Sequence, residues 1–341
     1  MKYRRVVVER FGGPEVMRIV EDDLLAPGDG QARVKILAAD VSFSDVNLRR
    51  GRYPGGPQPP FTPGYAMVGV VDQLGSGTAA SGLAIGQPVA ALTFYGSYSQ
   101  YLNVPAQHLV PMPADLDPAE AVCLTLNYVA AYQMLHRVAH VARGESILVY
   151  GAAGGVGTAF LELGRLAGLV TYGAASKAKH DLVTSLGAMP IDYQSEDVAA
   201  RIATATLGRG VDAVFDPIGA AHLRQSVKAV RRNGTVVGYG FYATANQGGA
   251  IIMDVLEQYL WMALWSLPPN RKRATFYDVR PLARKRPEWF REDLTALLNL
   301  LAAGKLHPVI AARLPLEEVV HAHQQVEHAE IQGKLTLIPN P

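Results

Sequence analysis

Hydrophobic and polar positions change rhythm about a third of the way along the chain. Before residue 120, short valine-containing runs are separated by Gly and Pro: RRVVVERFGGPE, QARVKILAAD, AMVGVVDQLGSG, QPVAALTF and SQYLNVPAQHLV. Runs of that length, broken by turn residues, predict a β-rich domain of short strands. From about Asp115 the texture changes. PAEAVCLTLNYVAAYQMLHRV reads as a helix entered through Pro118, and SILVYGAAGGVG as a buried strand running into a glycine turn. Helical and strand patterns then take turns: TAFLELGRLAGL, VTYGAAS, KAKHDLVTSLGA, PIDY, SEDVAARIATATLGRG, DAVFDPIG, AAHLRQSVKAVRRNG and TVVGYGF. Alternation at this spacing predicts a parallel sheet with crossover helices.

Beyond that block, RATFYDVRP reads as a further strand and REDLTALLNLLAAGKL as an amphipathic helix ending at Gly304. The tail, HPVIAARLPLEEVVHAHQQVEHAEIQGKLTLIP, mixes short strands with a helix. Its KLTLI run needs an edge to pair with, and the αβ block already has its strands, so the tail is expected to return to the first domain. The boundaries expected are 1–121 for the β-rich domain, 122–281 for the αβ domain and 282–341 for the returning segment. A chain of 341 residues fits two domains at roughly 100–200 residues each.

The most apolar stretch, Ile251 to Leu267, approaches membrane-spanning length but carries Asp254 and Glu257. A buried or interface helix is the better reading, with Leu256, Leu260, Leu264 and Leu267 spaced as one packed face.

The most informative segment runs from Ile147 to Gly157. Gly151, Gly154 and Gly157 follow an apolar strand and open a helix. In that setting, glycines let the backbone turn tightly while N–H groups face a pyrophosphate, so Gly151, Ala152, Gly154, Gly155, Val156 and Gly157 are the candidate cradle. The end of the next strand, VTYGAASKAK, carries no acid to bind ribose hydroxyls or repel a 2′-phosphate. Ser176 offers a hydroxyl and Lys177 a charge, and Tyr193 after the third strand offers a phenol, which favours NADPH over NADH. The alternative is that Lys177 and Lys179 are simply solvated, and this suits Lys179 better.

Composition narrows the class. Hydrophobic residues make up 49%, charged residues 18%, and the net charge is +2, which argues against disorder and against a nucleic-acid surface. One cysteine, Cys123, cannot form an internal disulfide or a Cys-rich zinc site, so a reducing compartment is expected. MKYRRVVVERF lacks a signal-peptide apolar region, and the chain reads as cytoplasmic. His321 and His323 lack the four-residue spacing of paired helical ligands and read as solvated helix positions. Arg271-Lys272-Arg273 reads as a solubilising loop.

Several motifs in one order give the chain a family resemblance. Val41-Ser42-Phe43-Ser44-Asp45, Arg50-Gly51-Arg52-Tyr53-Pro54, Pro60-Phe61-Thr62-Pro63-Gly64, Ala131-Tyr132-Gln133-Met134-Leu135, Gly151 to Gly157, Phe215-Asp216-Pro217-Ile218-Gly219 and Gly333 to Pro339 cover nearly its whole length. Together they resemble the medium-chain dehydrogenase/reductase superfamily, in its zinc-independent quinone oxidoreductase branch, and the related vesicle amine transport protein group. The resemblance implies an α/β protein with a Rossmann doubly wound parallel sheet, plus a GroES-like β-rich catalytic domain built from both ends of the chain. It also implies a homodimer, for which Arg273 to Val279 is a plausible edge strand.

Zinc-dependent members carry a Cys-His-Thr-Asp run, a Gly-His-Glu run and a later Cys. Here those places read Ser42-Phe43-Ser44-Asp45, Gly64-Tyr65-Ala66 and Leu126, which lack the required donors, so no metal is expected. The resemblance implies that Tyr53 lines the substrate site and donates a hydrogen bond. Ser42 stands where quinone reductases commonly have an Asn near the nicotinamide, and Asp45 orders the same loop or caps the following turn. Gly240 and Phe241 match the turn that meets the nicotinamide ring. Asn127 is a candidate to reach the cofactor, against a plain helix-surface asparagine. Lys334 is a candidate to approach the cofactor phosphate, against a solvated tail lysine. Ala130 replaces a frequent Thr near the cofactor.

Without zinc, hydride transfer must rest on positioning and on hydrogen-bond donors around the developing oxyanion. The function expected is NADPH-dependent reduction of a quinone or an α,β-unsaturated carbonyl, with no nucleic-acid partner and no membrane span. The rivals are an enoyl-thioester reductase of the same superfamily and an NADPH-binding protein with little catalysis, which the changes at Ser42 and Ala130 would permit.

Overall fold

The computed structural model describes residues 1–53, 55–219, 222–240, 260–265, 267 and 271–340. Pro54, Phe241 and residues 251–259 of the apolar stretch lie outside the described residues. Two compact units divide the chain: Met1–Val129 with Arg286–Pro341, and Ala130–Lys285.

In the first unit, the strand Gln31–Val41 alternates half-buried and buried positions, and Ala32, Val34 and Ile36 pack with Met67, Val71, Val89 and Val104 into one core. This is the period-two pattern of a strand with one face covered. Its sheet runs Ile310–Pro315, Lys334–Ile338, Gln31–Val41, Ala66–Leu74, Pro88–Leu92, Val110–Pro111, and Tyr101–Pro105 also pairs with Gln31–Val41. The KLTLI run finds its edge here. Leu335 and Leu337 pair antiparallel with Val41 and Ala39, and the other side of the run pairs parallel with Ile310–Pro315. A β-rich unit made from both ends of the chain is the result.

In the second unit, six parallel strands stand in the order Met189–Asp192, Val170–Ala175, Ser146–Tyr150, Val211–Asp216, Val230–Gly238, Arg273–Phe276. Numbered along the chain, that is 3-2-1-4-5-6, the doubly wound order whose reversal falls between Ser146–Tyr150 and Val211–Asp216. Ligands of such sheets bind outside the carboxyl ends of the strands at that reversal.

Three local expectations need correction. The stretch read as a strand through RATFYDVRP is a strand only over Arg273–Phe276; Val279–Lys285 is a helix. Asp278 starts it, its Oδ1 accepting from the Arg280 N–H at 2.9 Å, and Pro281 falls in the first turn, where its missing N–H costs nothing. The helical residues near 260–265 do not bury the leucine stripe. Leu260, Leu264 and Leu267 are 60%, 44% and 57% exposed, while Met262 is buried and Trp265 packs against the same core. Positions 262 and 265 lie on the opposite side of the helix from 260 and 264, so the chain's own core covers the face opposite these leucines, and of the two readings, buried or interface, it is the buried one that is corrected. Lys272, read as part of a solubilising loop, donates through Nζ to the Val227 carbonyl at 2.6 Å.

Candidate functional site

The glycine turn of the second unit is built from backbone. Gly151 takes φ of 65° at the end of Ser146–Tyr150, a left-handed conformation that glycine adopts without strain. The Ala152 N–H then donates to the Ala174 carbonyl at 3.1 Å, and the Gly154 N–H to the Gly151 carbonyl at 3.0 Å. Gly154 is the N-cap of the helix Gly155–Ala167 and brings no side chain to satisfy the first amides. A helix start with open N–H groups and positive dipole end suits an anion. Gly157 allows the close approach: a Cβ there would lie 2.2 Å from the Gly151 oxygen and 2.7 Å from Ala152 backbone atoms. Ala152 and Ala153 are buried, Gly151 is exposed, and Gly154, Gly155 and Val156 are half-buried. These residues fit a dinucleotide diphosphate.

Two further turns meet this one at the strand ends. Asp216 is fully buried and organises the Pro217-Ile218-Gly219 turn, accepting from Ile218 N–H at 2.7 Å, from Ser226 Oγ at 2.6 Å and sitting 2.8 Å from His222 Nδ1. Gly240 lies directly against that turn, since a Cβ on it would sit 2.3 Å from the Pro217 oxygen. A Cβ on Gly151 would contact the Pro217 ring at 3.4 Å. Gly151, Pro217 and Gly240 thus converge at the carboxyl ends of their strands. Phe241, expected beside Gly240, lies outside the described residues.

Ser176 follows the Val170–Ala175 strand and begins a short turn without a capping side-chain bond. Lys177 is exposed, and the half-buried Lys179 ammonium is held below its usual range by burial. Tyr193 is 54% exposed. An acid that the motif reading passed over stands next door: Asp192 pairs in register with Ala175. Its carboxylate accepts from Ser195 Oγ at 2.7 Å and from Gln194 N–H at 3.1 Å, and these bonds, with the charges of His180 and Lys177, hold it below the usual carboxylate range. Its place at the end of a short strand was visible in PIDY.

In the first unit, the side chains do the assembly. Ser42 is the N-cap of Phe43–Arg49, and Ser42 and Asp45 form a capping box. The Ser42 hydroxyl donates to Asp45 Oδ2 at 2.6 Å, the Ser42 N–H donates to the same oxygen at 3.0 Å, and Asp45 Oδ1 accepts from Gly64 N–H at 2.9 Å. Asp45 is fully buried. Burial first, then the charge of Asp40, push its carboxyl up to about 7 against the pull of those three donors. Ser42 and Asp45 therefore join the helix start to the Gly64-Tyr65 segment.

Tyr53 is half-buried, and its phenol lies 2.8 Å from the phenol of Tyr65. In the sequence Tyr65 stands out only as a missing zinc ligand, and its place in the Gly-His-Glu run is the signal that could have marked it. Asn127 and Lys334 are also brought together: Lys334 Nζ donates to Asn127 Oδ1 at 3.5 Å and lies 2.7 Å from Asp40 Oδ2. Lys334 is 5% exposed, which corrects the picture of a solvated tail lysine; the antiparallel pairing of Lys334–Ile338 with Gln31–Val41 carries it to Asp40. Ala130, in the second unit, is buried.

His323, expected to be solvated, is fully buried, its ring edge-on to Tyr98 at 5.8 Å, because Val319, Ala322 and His323 form the inward face of Val319–Glu327; His321 is exposed. Among the described residues, no group of three or more His, Cys, Asp or Glu side chains could hold a metal ion. Cys123 is buried, and burial pushes its thiol up to about 12. No helix of the described residues is long and apolar enough to cross a membrane.

Residues 28–114 match the alcohol dehydrogenase GroES-like domain family, and residues 186–337 match the zinc-binding dehydrogenase family. The synaptic vesicle membrane protein VAT-1 homolog of Rattus norvegicus is 32% identical over 99% of this chain and 84% of its own. The quinone oxidoreductase of Pongo abelii is 28% identical over 98% of this chain and 97% of its own. Among solved structures, the quinone oxidoreductase of Escherichia coli complexed with NADPH superposes with a TM-score of 0.86 at 26% identity, over 98% of this chain and 100% of that one.

Proposed function

We propose that this chain, an oxidoreductase belonging to the zinc-independent medium-chain dehydrogenase/reductase family, uses NADPH to reduce a quinone or an α,β-unsaturated carbonyl. The observation that carries the reading is the backbone cradle at Gly151 to Gly157, where Gly157 has no room for a side chain. When bound, the reduced dinucleotide supplies a hydride. Gly151, Ala152, Gly154, Gly155, Val156 and Gly157 hold its diphosphate, and Gly240 keeps the adjoining turn close-packed. Lys177 and Ser176 receive the 2′-phosphate, with Tyr193 beside them. Asp192 stays ionised, its carboxylate held by Ser195 and Gln194, and the positive charge of Lys177 offsets part of its repulsion toward that phosphate.

Tyr53 donates its phenol hydrogen to the substrate oxygen as negative charge develops there. Ser42 and Asp45 act as positioning residues through the Gly64 amide. The Lys334–Asp40 pair with Asn127 fixes the strand and helix that carry them, so those residues support the fold of the site rather than a phosphate. The chain has no metal donor set at Ser42, Tyr65 and Leu126, and a substrate whose charge is already spread by conjugation suits hydrogen bonds alone. We also assign a homodimer and a reducing, cytoplasmic setting, in keeping with the edge strand Arg273–Phe276 and the buried Cys123 thiol. Sedimentation of the purified chain checks the dimer.

Steady-state NADPH oxidation with a quinone, an enone and a crotonyl thioester tests the function. Turnover of quinone or enone is expected. Turnover of the thioester alone would replace the reading with an enoyl-thioester reductase, and tight NADPH binding with no turnover would leave a binding protein. A preference for NADH of tenfold, about 1.4 kcal/mol, would overturn the cofactor assignment.

A further inference from the structure

We propose that Tyr65 is a positioning residue whose phenol holds and polarises Tyr53, so that the two phenols act as one hydrogen-bond donor toward the substrate oxygen. The inference rests on the assignment of Tyr53 above and deepens it.

The phenol oxygens are 2.8 Å apart, with ring centroids at 6.0 Å and planes tilted by 56°. The two rings differ in setting: Tyr65 is 1% exposed and Tyr53 half-buried, which makes Tyr65 the inner member of the pair. Tyr65 is fixed on both sides. Before it, Gly64 has φ of 111°, its N–H is held by Asp45, and a Cβ would lie 2.3 Å from Ser97 Oγ and 2.5 Å from the Tyr98 nitrogen. After it, the Tyr65 carbonyl accepts from the N–H groups of Thr93 and Phe94 at 2.9 and 3.0 Å. The Phe94 ring meets Tyr65 edge to face at 5.3 Å and 87°. Phe94 itself has φ of 65°, an uncommon conformation for a bulky residue, and such strain gathers where a site needs a side chain held in place.

The chemistry follows from charge. As the β-carbon of an enone accepts hydride with its electron pair from the reduced nicotinamide, the double-bond pair moves toward the carbonyl oxygen. That oxygen takes the proton of Tyr53, whose own oxygen becomes a phenolate until water returns a proton. A Tyr65 O–H directed at that oxygen becomes a charge-assisted hydrogen bond, stronger in the transition state than in the ground state. Inside a protein such coupled donors reinforce one another. The inner phenol thus does part of what a metal ion does elsewhere in the superfamily, and it does so from the place where a ligand would stand.

Tyr65→Phe keeps the ring and its contact with Phe94 and removes only the oxygen. Its kcat with a quinone or enone is expected to fall about tenfold with KM within about twofold, as for an interaction realised mainly in the transition state. In a Tyr53→Phe background the same change should have no further effect, because Tyr65 acts through Tyr53. Carbon-13 NMR of tyrosine labelled at Cζ should show the Tyr53 phenol deprotonating about one pH unit higher in Tyr65→Phe. An unmoved Tyr53 titration, an unchanged kcat or additive losses in the double variant would each overturn the proposal. If Tyr65→Phe does not fold, Phe94→Leu loosens Tyr65 without removing its oxygen and should lower kcat less, with the same KM. If the wild-type chain reduces none of the substrates, the functional reading fails, and the NMR titration still decides the pairing.

Discussion

The two units build their candidate sites from different materials. In Ala130–Lys285 the cradle is backbone, with Gly151, Gly154 and Gly157 close together in sequence, Gly151 needed for its left-handed φ and Gly157 for the atoms it lacks. In the other unit the same kind of work falls to side chains gathered from distant positions: Ser42, Asp45, Tyr53, Tyr65 and Phe94, with Lys334 brought in by the last strand. A site made of backbone is damaged by adding atoms, and a site made of side chains by removing them. The first kind tolerates almost no substitution; the second can lose one oxygen and keep its shape.

The sharpest way to break this contrast is Gly157→Ala. One methyl would fall 2.2 Å from the Gly151 oxygen and 2.7 Å from Ala152 backbone, and backbone cannot swing aside as a flexible side chain can. NADPH affinity is expected to fall at least 100-fold, about 2.8 kcal/mol, with a lower Tm. Titration calorimetry that found affinity within about threefold of wild type would show that the cradle is not rigid backbone. A smaller effect is expected at the same cofactor's other end. Lys177 is an exposed charge on a long stem, so Lys177→Ala should weaken NADPH about tenfold, or 1.4 kcal/mol, and leave NADH unchanged. Equal losses for both dinucleotides would move the 2′-phosphate away from Lys177.

The contrast also explains what could be read from the chain alone. The parallel sheet with its crossover helices, the glycine turn and the return of KLTLI were all legible because each depends on local pattern or on an edge that must be paired, whereas the doubly wound arrangement came only through the family resemblance. Local pattern said less where the partner is remote. The spacing of Leu260, Leu264 and Leu267 marks an apolar face, but which face is covered depends on Leu223 and Val227, packed with Met262. Lys334 reads as a phosphate contact or a tail cation because nothing nearby in sequence announces Asp40. Tyr65 registered as an absent ligand, since only the fold brings Tyr53 to its phenol. His323 was misplaced for a similar reason: a histidine beside Ala322 reads as polar until Tyr98 is known to face it.

The buried ionisable groups of the side-chain unit give the smallest effect and the finest test. Asp45 is held up at about 7 against an ordinary 3.8, by burial and the Asp40 charge. Between those values the folded chain keeps a proton that the unfolded chain has released, so Asp45 makes stability fall as pH rises through that window. His323 is pushed down to about 3 from 6.5, by burial and then by the charges of Arg49 and Arg50. Between those values the unfolded chain takes up a proton that the folded chain refuses, so His323 makes stability fall as pH drops. The windows overlap, and there the two slopes oppose each other. His323→Gln should expose the Asp45 slope, losing stability on the order of 1 kcal/mol more than wild type as pH rises from about 4.5 to about 6.5. Asp45→Asn should expose the His323 slope and lose stability in the opposite direction over the same range. Urea midpoints at three pH values across it measure both, and the groups common to all three proteins cancel in the differences. Parallel curves for wild type and both variants would mean that neither group is charged differently in the folded and unfolded chains, and that the side-chain unit holds Asp45 as an ordinary carboxylate.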